Sequence, residues 1–119
     1  MKYAKEEIEI FKRVLADYKE LKKEIDKRIK KGYDIEELLR YIEHLNSCEI
    51  TNVDLTSNFK YIDFNYCDMV CSIIECEKDN IPLKLQETVE VWNDKEDCYI
   101  IEDWLSMNEI EKTIKEGYM

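Results

Sequence analysis

Five cysteines and one histidine are the residues of this sequence best suited to bind a metal ion or to attack a substrate. No two of the cysteines form a C-x-x-C pair, the spacing common in zinc and iron–sulfur sites. On a strand, Cys67 and Cys71 face one side and Cys76 faces the other, so the densest group cannot converge on one ion. We therefore predict reduced, metal-free thiols, several of them buried as small hydrophobic residues. The remaining candidate ligands are Cys48, Cys98 and His44.

His44 is the single obvious candidate for a general base near neutral pH. It falls near the C-terminal end of a predicted helix, where the helix dipole favours a protonated imidazole whatever else the side chain does. No nucleophile elbow and no H-E-x-x-H motif accompanies it, and two glycines are too few for a tight phosphate-binding loop. We predict a capping or surface role for His44, no catalytic residue, no cofactor and no enzymatic activity.

Acidic residues outnumber basic ones by 28 to 18, and the excess lies in one part of the chain. Residues 1–33 hold eleven Lys or Arg and seven Asp or Glu, a net charge of +4. Residues 34–119 hold seven basic and twenty-one acidic residues, a net charge of −14. Such an acidic body repels nucleic acid and anionic membranes and attracts basic surfaces. We therefore expect a basic, nucleic-acid-binding protein as the partner, with no direct contact to nucleic acid or to a membrane.

Aromatic residues lie among the acidic ones in the second part of the chain. Trp and Tyr often anchor protein–protein contacts, and an array of carboxylates can imitate the phosphates of nucleic acid. The same acidic residues also have a simpler interpretation, as charge that keeps the protein soluble. The predicted partner-binding residues are Glu75, Glu77, Asp79, Glu90, Trp92, Asp94, Glu96, Asp97, Glu102 and Asp103.

The apolar pattern predicts the elements that position these residues. Ala4 to Lys31 contains no Gly or Pro, and its apolar residues repeat at heptad spacing with one break at Lys22, which predicts a long helix. A second helix, which begins with Asp34 and Glu37 as a capping box, is too short to cover the first. The N-terminal half of the long helix must therefore dock on the sheet or pair with a second copy. The residues predicted to make this contact are Ile8, Phe11 and Leu15.

From Cys48 the apolar period changes to two, and the short connections predict an antiparallel meander of about four strands. Glu87 is anomalous, because strict alternation along its strand turns it inward. Ser106 and Glu109 form a second capping box, and Gly117 is placed to end the helix that follows. The predicted fold is α+β: a long N-terminal helix and a shorter antiparallel helix, the meander, and a short C-terminal helix. We predict a single domain over 1–119, with the helical hairpin at 1–46, the sheet at 48–105 and the C-terminal helix at 106–117.

In size and acidic composition, though in no motif, the chain resembles the small inhibitors that phages and mobile elements encode against host defence, the anti-CRISPR type. The resemblance implies a non-catalytic protein that blocks a basic, nucleic-acid-binding surface of a partner. Toxin-neutralising immunity proteins have the same composition. The main alternative is a structural or adaptor subunit that assembles as a homodimer through its long helix, and a third is a small-ligand binder or enzyme. The chain has no secretory signal and no bilayer-spanning apolar run, so we expect it in the cytoplasm.

Overall fold

A computed structural model describes residues 3–93 and 97–116, with the side chains of all of these except residues 101–103. Within these residues, two helices are followed by six strands and a third helix. The helices are α1 (Lys5–Lys30), α2 (Ile35–Glu43) and α3 (Met107–Glu116). The strands are β1 (Cys48–Asp54), β2 (Phe59–Tyr66), β3 (Met69–Cys76), β4 (Ile81–Leu85), β5 (Thr88–Asn93) and β6 (Cys98–Ser106). The predicted α+β class is confirmed, and the meander has six strands rather than about four.

α1 is 26 residues long and buries one stripe of side chains along its length. The stripe runs through Val14 and Leu21, where the predicted seam has Leu15 and Lys22. Because Phe11, Tyr18 and Ile25 are seven residues apart, as are Val14 and Leu21, the buried stripe also keeps heptad spacing, in a neighbouring phase. The break at Lys22 therefore arises from a seam drawn one position beyond the buried residues. Among the described residues, no helix has the length and apolar character needed to cross a membrane.

Ile8 and Phe11 are covered within a single chain. Ile8 is 3% exposed and Phe11 is fully buried in the core between helices and sheet, while Leu15 is half-buried beside it. The ring of Tyr3 packs edge-on against Phe11, with 4.7 Å between the ring centroids. The sequence predicted that these residues dock on the sheet or pair with a second copy, and in the structure they dock on the sheet. Ile8 and Phe11 are therefore not exposed for contact with a second copy, whereas Leu15 remains partly accessible.

Local hydrogen bonds fix the junction between α1 and α2. Gly32 adopts a left-handed conformation with φ of 100°, and the N–H of Tyr33 donates to the carbonyl of Arg28 at 3.1 Å, which closes a Schellman motif. The Asp34 carboxylate accepts the N–H of Glu37, and the Glu37 carboxylate accepts the N–H of Asp34. The capping box predicted for α2 is therefore confirmed.

α3 begins directly after Ser106 at the end of the last strand. The N–H of Glu109 donates to the Ser106 hydroxyl at 3.2 Å, and that hydroxyl donates to the Glu109 carboxylate at 2.9 Å. Met107 and Ile110 then join the core. The predicted end of the helix at Gly117 lies outside the described residues.

The sheet is an antiparallel meander in the order β1-β2-β3-β5-β6, with β4 paired to β3 as well. β4 runs along the C-terminal half of β3, and β5 runs along its N-terminal half. Gln86 and Glu87 form a bulge between them, where the Gln86 N–H donates to the Ser72 carbonyl at 2.8 Å. The bulge divides one predicted strand in two, and it explains the anomaly at Glu87, which is exposed rather than inward.

The two faces of the sheet differ in what covers them. All three described helices contribute side chains to one core, together with sheet residues such as Ile62, Phe64 and Ile73. Residues directly opposite each other on paired strands share a face, and the alternate pairs, such as Tyr61 with Ile74, lie on the second face. Because the described helices all pack on the first face, the second face carries none of them. We call this second face the open face.

Candidate protein-binding surface

The open face carries three of the four large hydrophobic side chains that the described residues expose. Phe59 is 40% exposed, Tyr99 is 41% exposed and Trp104 is 39% exposed. Strand pairing places Phe59 on this face, as it does Tyr99 through its partner Trp92. Trp104 lies beside a register shift in the pairing of β5 with β6; it directly precedes Leu105, which packs on the core, and its own side chain is exposed, so we assign it to the open face. Phe59 and Tyr99 lie at opposite ends of the sheet, so the three side chains are distributed over the face and do not form one contiguous patch. The open face is the candidate binding surface because it carries them and no described helix covers it.

The centre of the open face is polar and internally bonded. Ser72 is only 3% exposed, and its hydroxyl donates to the Asp63 carboxylate at 2.5 Å from the neighbouring strand. Ile74 and Cys76 are also buried on this side of the sheet, outside the core that the helices cover. These contacts hold the middle of the face in a fixed arrangement, with the exposed aromatic residues around it.

Asp54 supplies a fixed negative charge at one side of the open face. It lies opposite Tyr61 in the pairing of β1 with β2. The Thr56 backbone N–H and the hydroxyl and N–H of Ser57 donate hydrogen bonds to its carboxylate. These hydrogen bonds, that from Thr56 first, hold the pKa of Asp54 below its usual range, so the carboxylate is ionised at neutral pH.

Trp92 and Tyr99 form a corner of the open face, at the end where β2 turns into β3. Their rings meet edge to face, with 4.7 Å between centroids and 79° between planes. The backbone N–H of Trp92 donates to the backbone carbonyl of Asp68 at 2.7 Å, and this hydrogen bond connects β5 to the β2–β3 turn. Beside the rings is a cavity of about 350 Å³, here called the corner pocket, whose lining is Asn65, residues 67–70, Trp92 and Tyr99.

The structure separates the predicted partner-binding residues into two groups. Glu77 and Asp79 are exposed in the β3–β4 turn, at one end of the sheet. Glu90 and Trp92 are half-buried on the open face, and they approach the other end, where Asp97 is exposed at the start of β6. β3 connects the two ends and has 8 residues, a length of roughly 26 Å. The acidic residues therefore border the open face at both ends and do not form one cluster.

The other predicted positions contribute less to this surface. Glu75 is half-buried opposite Lys60, on the face that also carries the core residues of β3. Asp94 and Glu96 lie outside the described residues, as do the side chains of Glu102 and Asp103.

Sequence reasoning did not select Phe59, Asn65 or Asp68. Phe59 is the first residue of β2, and Asn65 lies near the end of the same strand. Extending the alternation backwards through Tyr61 to Phe59 would have placed both aromatic residues on the same face as Asn65. Asp68 lacked any such signal, because its position depends on how the β2–β3 turn meets β5.

The structure places the five cysteines in different environments: Cys71 and Cys76 are buried, Cys48 is half-buried, and Cys67 and Cys98 are exposed. Burial raises the pKa of the Cys48 thiol to about 11, and burial also raises the pKa of the fully buried Cys71. Cys67 is exposed in the β2–β3 turn. The exposed His44 follows α2, and its Nδ1 donates to the Arg40 carbonyl at 2.7 Å. Within the described ranges, no group of three or more His, Cys, Asp or Glu side chains is arranged to hold a metal ion.

Comparison with known proteins gave no match: no protein-family model, no curated protein and no solved structure matches this chain. The surface itself must therefore carry the functional inference.

Proposed function

We propose that this protein is a non-catalytic acidic binding protein whose open face occupies a basic surface of a partner protein, one that otherwise holds nucleic acid. The observation that carries the proposal is the exposure of Phe59, Tyr99 and Trp104 on a sheet face without a described helix. Aromatic side chains that remain exposed on a folded chain are typical anchors of protein–protein contacts. The proposal includes the anti-CRISPR-like and immunity-like classes of inhibitor, which share this chemistry.

Charge supports a basic partner. The whole sheet lies within residues 34–119, which carry a net charge of −14. Exposed carboxylates at Glu77, Asp79 and Asp97 border the open face at its ends. A surface of this sign attracts Lys and Arg side chains over distances of about 10 Å at moderate ionic strength, and it raises the association rate. The same charge repels the phosphates of nucleic acid, so the partner is a protein.

The adaptor alternative has less support. It requires an apolar seam on the long helix, and the residues predicted to form that seam are Ile8, Phe11 and Leu15. Two of them are buried within one chain. The exposed positions of α1 are mainly Lys, Arg and Glu, several of them in ion pairs such as Lys22 with Asp26 at 2.9 Å. Such a helix surface favours solvent over a second copy.

Two variants with equal net charge test the proposal. The sheet-side variant neutralises four exposed carboxylates on or beside the open face, and the helix-side variant neutralises four exposed carboxylates on the helices. Each changes the net charge from −10 to −6. The sheet-side set is Glu49→Gln, Glu77→Gln, Asp79→Asn and Asp97→Asn, and the helix-side set is Glu20→Gln, Glu36→Gln, Glu43→Gln and Glu116→Gln.

The immobilised proteins are exposed to a bacterial lysate at low and at high salt, and the bound proteins are identified. We expect the wild type and the helix-side variant to retain the same basic, nucleic-acid-binding protein at low salt, and the sheet-side variant to lose it. High salt should release it from both. If both variants lose the partner protein to the same extent, net charge alone explains the binding. That result would contradict a specific role for the open face.

A further inference from the structure

Trp92 is held in place more firmly than an exposed interface residue usually is. Its backbone donates to the Asp68 carbonyl, and its ring is fixed against Tyr99 by the edge-to-face contact. An edge-to-face contact uses one face of one ring, which leaves aromatic surface to line the corner pocket. A ligand that binds there meets a pre-formed aromatic wall and does not have to order it.

Two of the five remaining residues that line the corner pocket are suited to a hydrogen-bond donor with positive charge. Asn65 and Asp68 line the pocket, and both side chains carry oxygen acceptors. At about 350 Å³ the cavity is at the small end of the range for ligand pockets, a size for one side chain rather than a cofactor. Asp97, two residues before Tyr99, is exposed and adds negative charge nearby.

Asp68 already binds a guanidinium group from the same chain. The Arg13 side chain reaches from α1 and donates to the Asp68 carboxylate at 2.5 Å. The side chain of Arg13 is 60% exposed, while that of Asp68 is 15% exposed. The carboxylate is thus fixed in a sheltered position, and the group that occupies it is in contact with water. Because the guanidinium end of this ion pair is in contact with water, Arg13 can leave the carboxylate, and a second guanidinium can compete for it.

We propose that the corner pocket binds an arginine side chain of the partner, with the Trp92 and Tyr99 rings as its wall and Asp68 as its counter-charge. The inference rests on the proposed function, for which it specifies the anchoring contact. Arginine fits better than lysine because a planar guanidinium stacks on an aromatic ring and donates to several acceptors at once, whereas an ammonium is a compact and strongly hydrated charge. Arg13 then acts as an internal competitor of the partner's arginine.

Oligo-arginine and oligo-lysine peptides of equal length are the probes, and calorimetric titration gives their dissociation constants. We expect oligo-arginine to bind about two- to fivefold more tightly than oligo-lysine, the range for one partly exposed cation–π contact. Trp92→Leu should remove this preference. Trp104→Leu is the matched control, because Trp104 is the second tryptophan of the chain and does not line the pocket, and it should retain the preference.

A second pair of variants tests the Asp68 carboxylate end of the same contact and leaves every residue of the sheet unchanged. Arg13→Gln releases the Asp68 carboxylate, whereas Lys12→Gln removes one positive charge from the adjacent exposed position. Arg13→Gln should tighten oligo-arginine binding about two- to fivefold more than Lys12→Gln does, if a single exposed contact is gained. In nuclear magnetic resonance spectra, the indole N–H signal of Trp92 should shift on titration with oligo-arginine.

The outcomes separate this inference from the proposed function. Equal binding of the two peptides, or equal effects of Arg13→Gln and Lys12→Gln, would overturn the arginine pocket while the acidic surface remains a binding surface. If neither peptide binds at low salt, the attraction to basic partners is absent. That result would contradict both the proposed binding function and the arginine pocket. Loss of the arginine preference in Trp92→Leu alone supports the pocket.

Discussion

Truncation of Phe11 tests whether α1 is part of a single-chain core or of a dimer seam. Phe11 is fully buried and contacts the Tyr3 ring edge-on. Phe→Ala substitutions in cores cost about 3–5 kcal/mol, and the lost ring contact accounts for about 0.5–1.5 kcal/mol in aromatic pairs. We therefore expect Phe11→Ala to lower the free energy of unfolding by about 4 kcal/mol. A domain of this kind is stable by about 5–15 kcal/mol, so the loss is large.

Urea unfolding followed by circular dichroism measures the effect. With a slope of about 2 kcal/mol per molar urea, a loss of about 4 kcal/mol moves the midpoint down by about 2 M. Because the contacts are within one chain, the midpoints of wild type and variant should not depend on protein concentration. Phe11→Leu, which keeps most of the volume, should cost less than about 1.5 kcal/mol and remains measurable if Phe11→Ala does not fold. An unchanged midpoint, or a midpoint that rises with protein concentration, would refute the single-chain core.

Two further predictions concern local features. Asp34→Ala removes the acceptor that caps α2 and should lower the free energy of unfolding by about 1 kcal/mol in urea titrations; Glu36→Ala, one residue into the helix and without a capping role, should cost less. The Cys48 thiol has a folded-state pKa of about 11 against an ordinary value of 9.0, so its contribution to stability is complete below pH 9 and is lost between pH 9 and 11. Urea midpoints measured across that range should therefore fall less steeply for Cys48→Ala than for the wild type, and parallel curves for the two proteins would contradict the assignment.

The elements with strong local signals were predictable from the sequence. The capping box at Asp34 and the left-handed Gly32 each depend on residues within one turn, so the local sequence determines them. The stripe of α1 was predicted in outline but not residue by residue. The predicted heptad passes through Leu15 and Lys22, whereas Val14 and Leu21 are the buried residues. Val14 and Leu15 are both apolar, so the sequence allows two neighbouring phases, and only the packing partner decides which one faces the core.

The binding surface was harder to predict than the fold. Among the described residues, Glu90, Trp92 and Tyr99 lie in the sheet, but their arrangement depends on strand register and on bulges. The bulge at Gln86 and Glu87 changes the register in which β5 pairs with β3, and the alternation of apolar residues along the sequence does not reveal this change. The pairing of Arg13 with Asp68 joins residues 55 positions apart, and no local pattern identifies such a contact.

The most direct test of the open face as the binding surface is hydroxyl-radical footprinting of the protein with and without its captured partner. The method reports the solvent exposure of individual aromatic side chains, and both sides of this protein carry them. We predict that the partner protects Phe59, Tyr99 and Trp104 from oxidation, while Tyr33 and Tyr41 on the helix side react as they do in the free protein. Protection of Tyr33 and Tyr41 with unchanged oxidation of the three open-face residues would contradict the account.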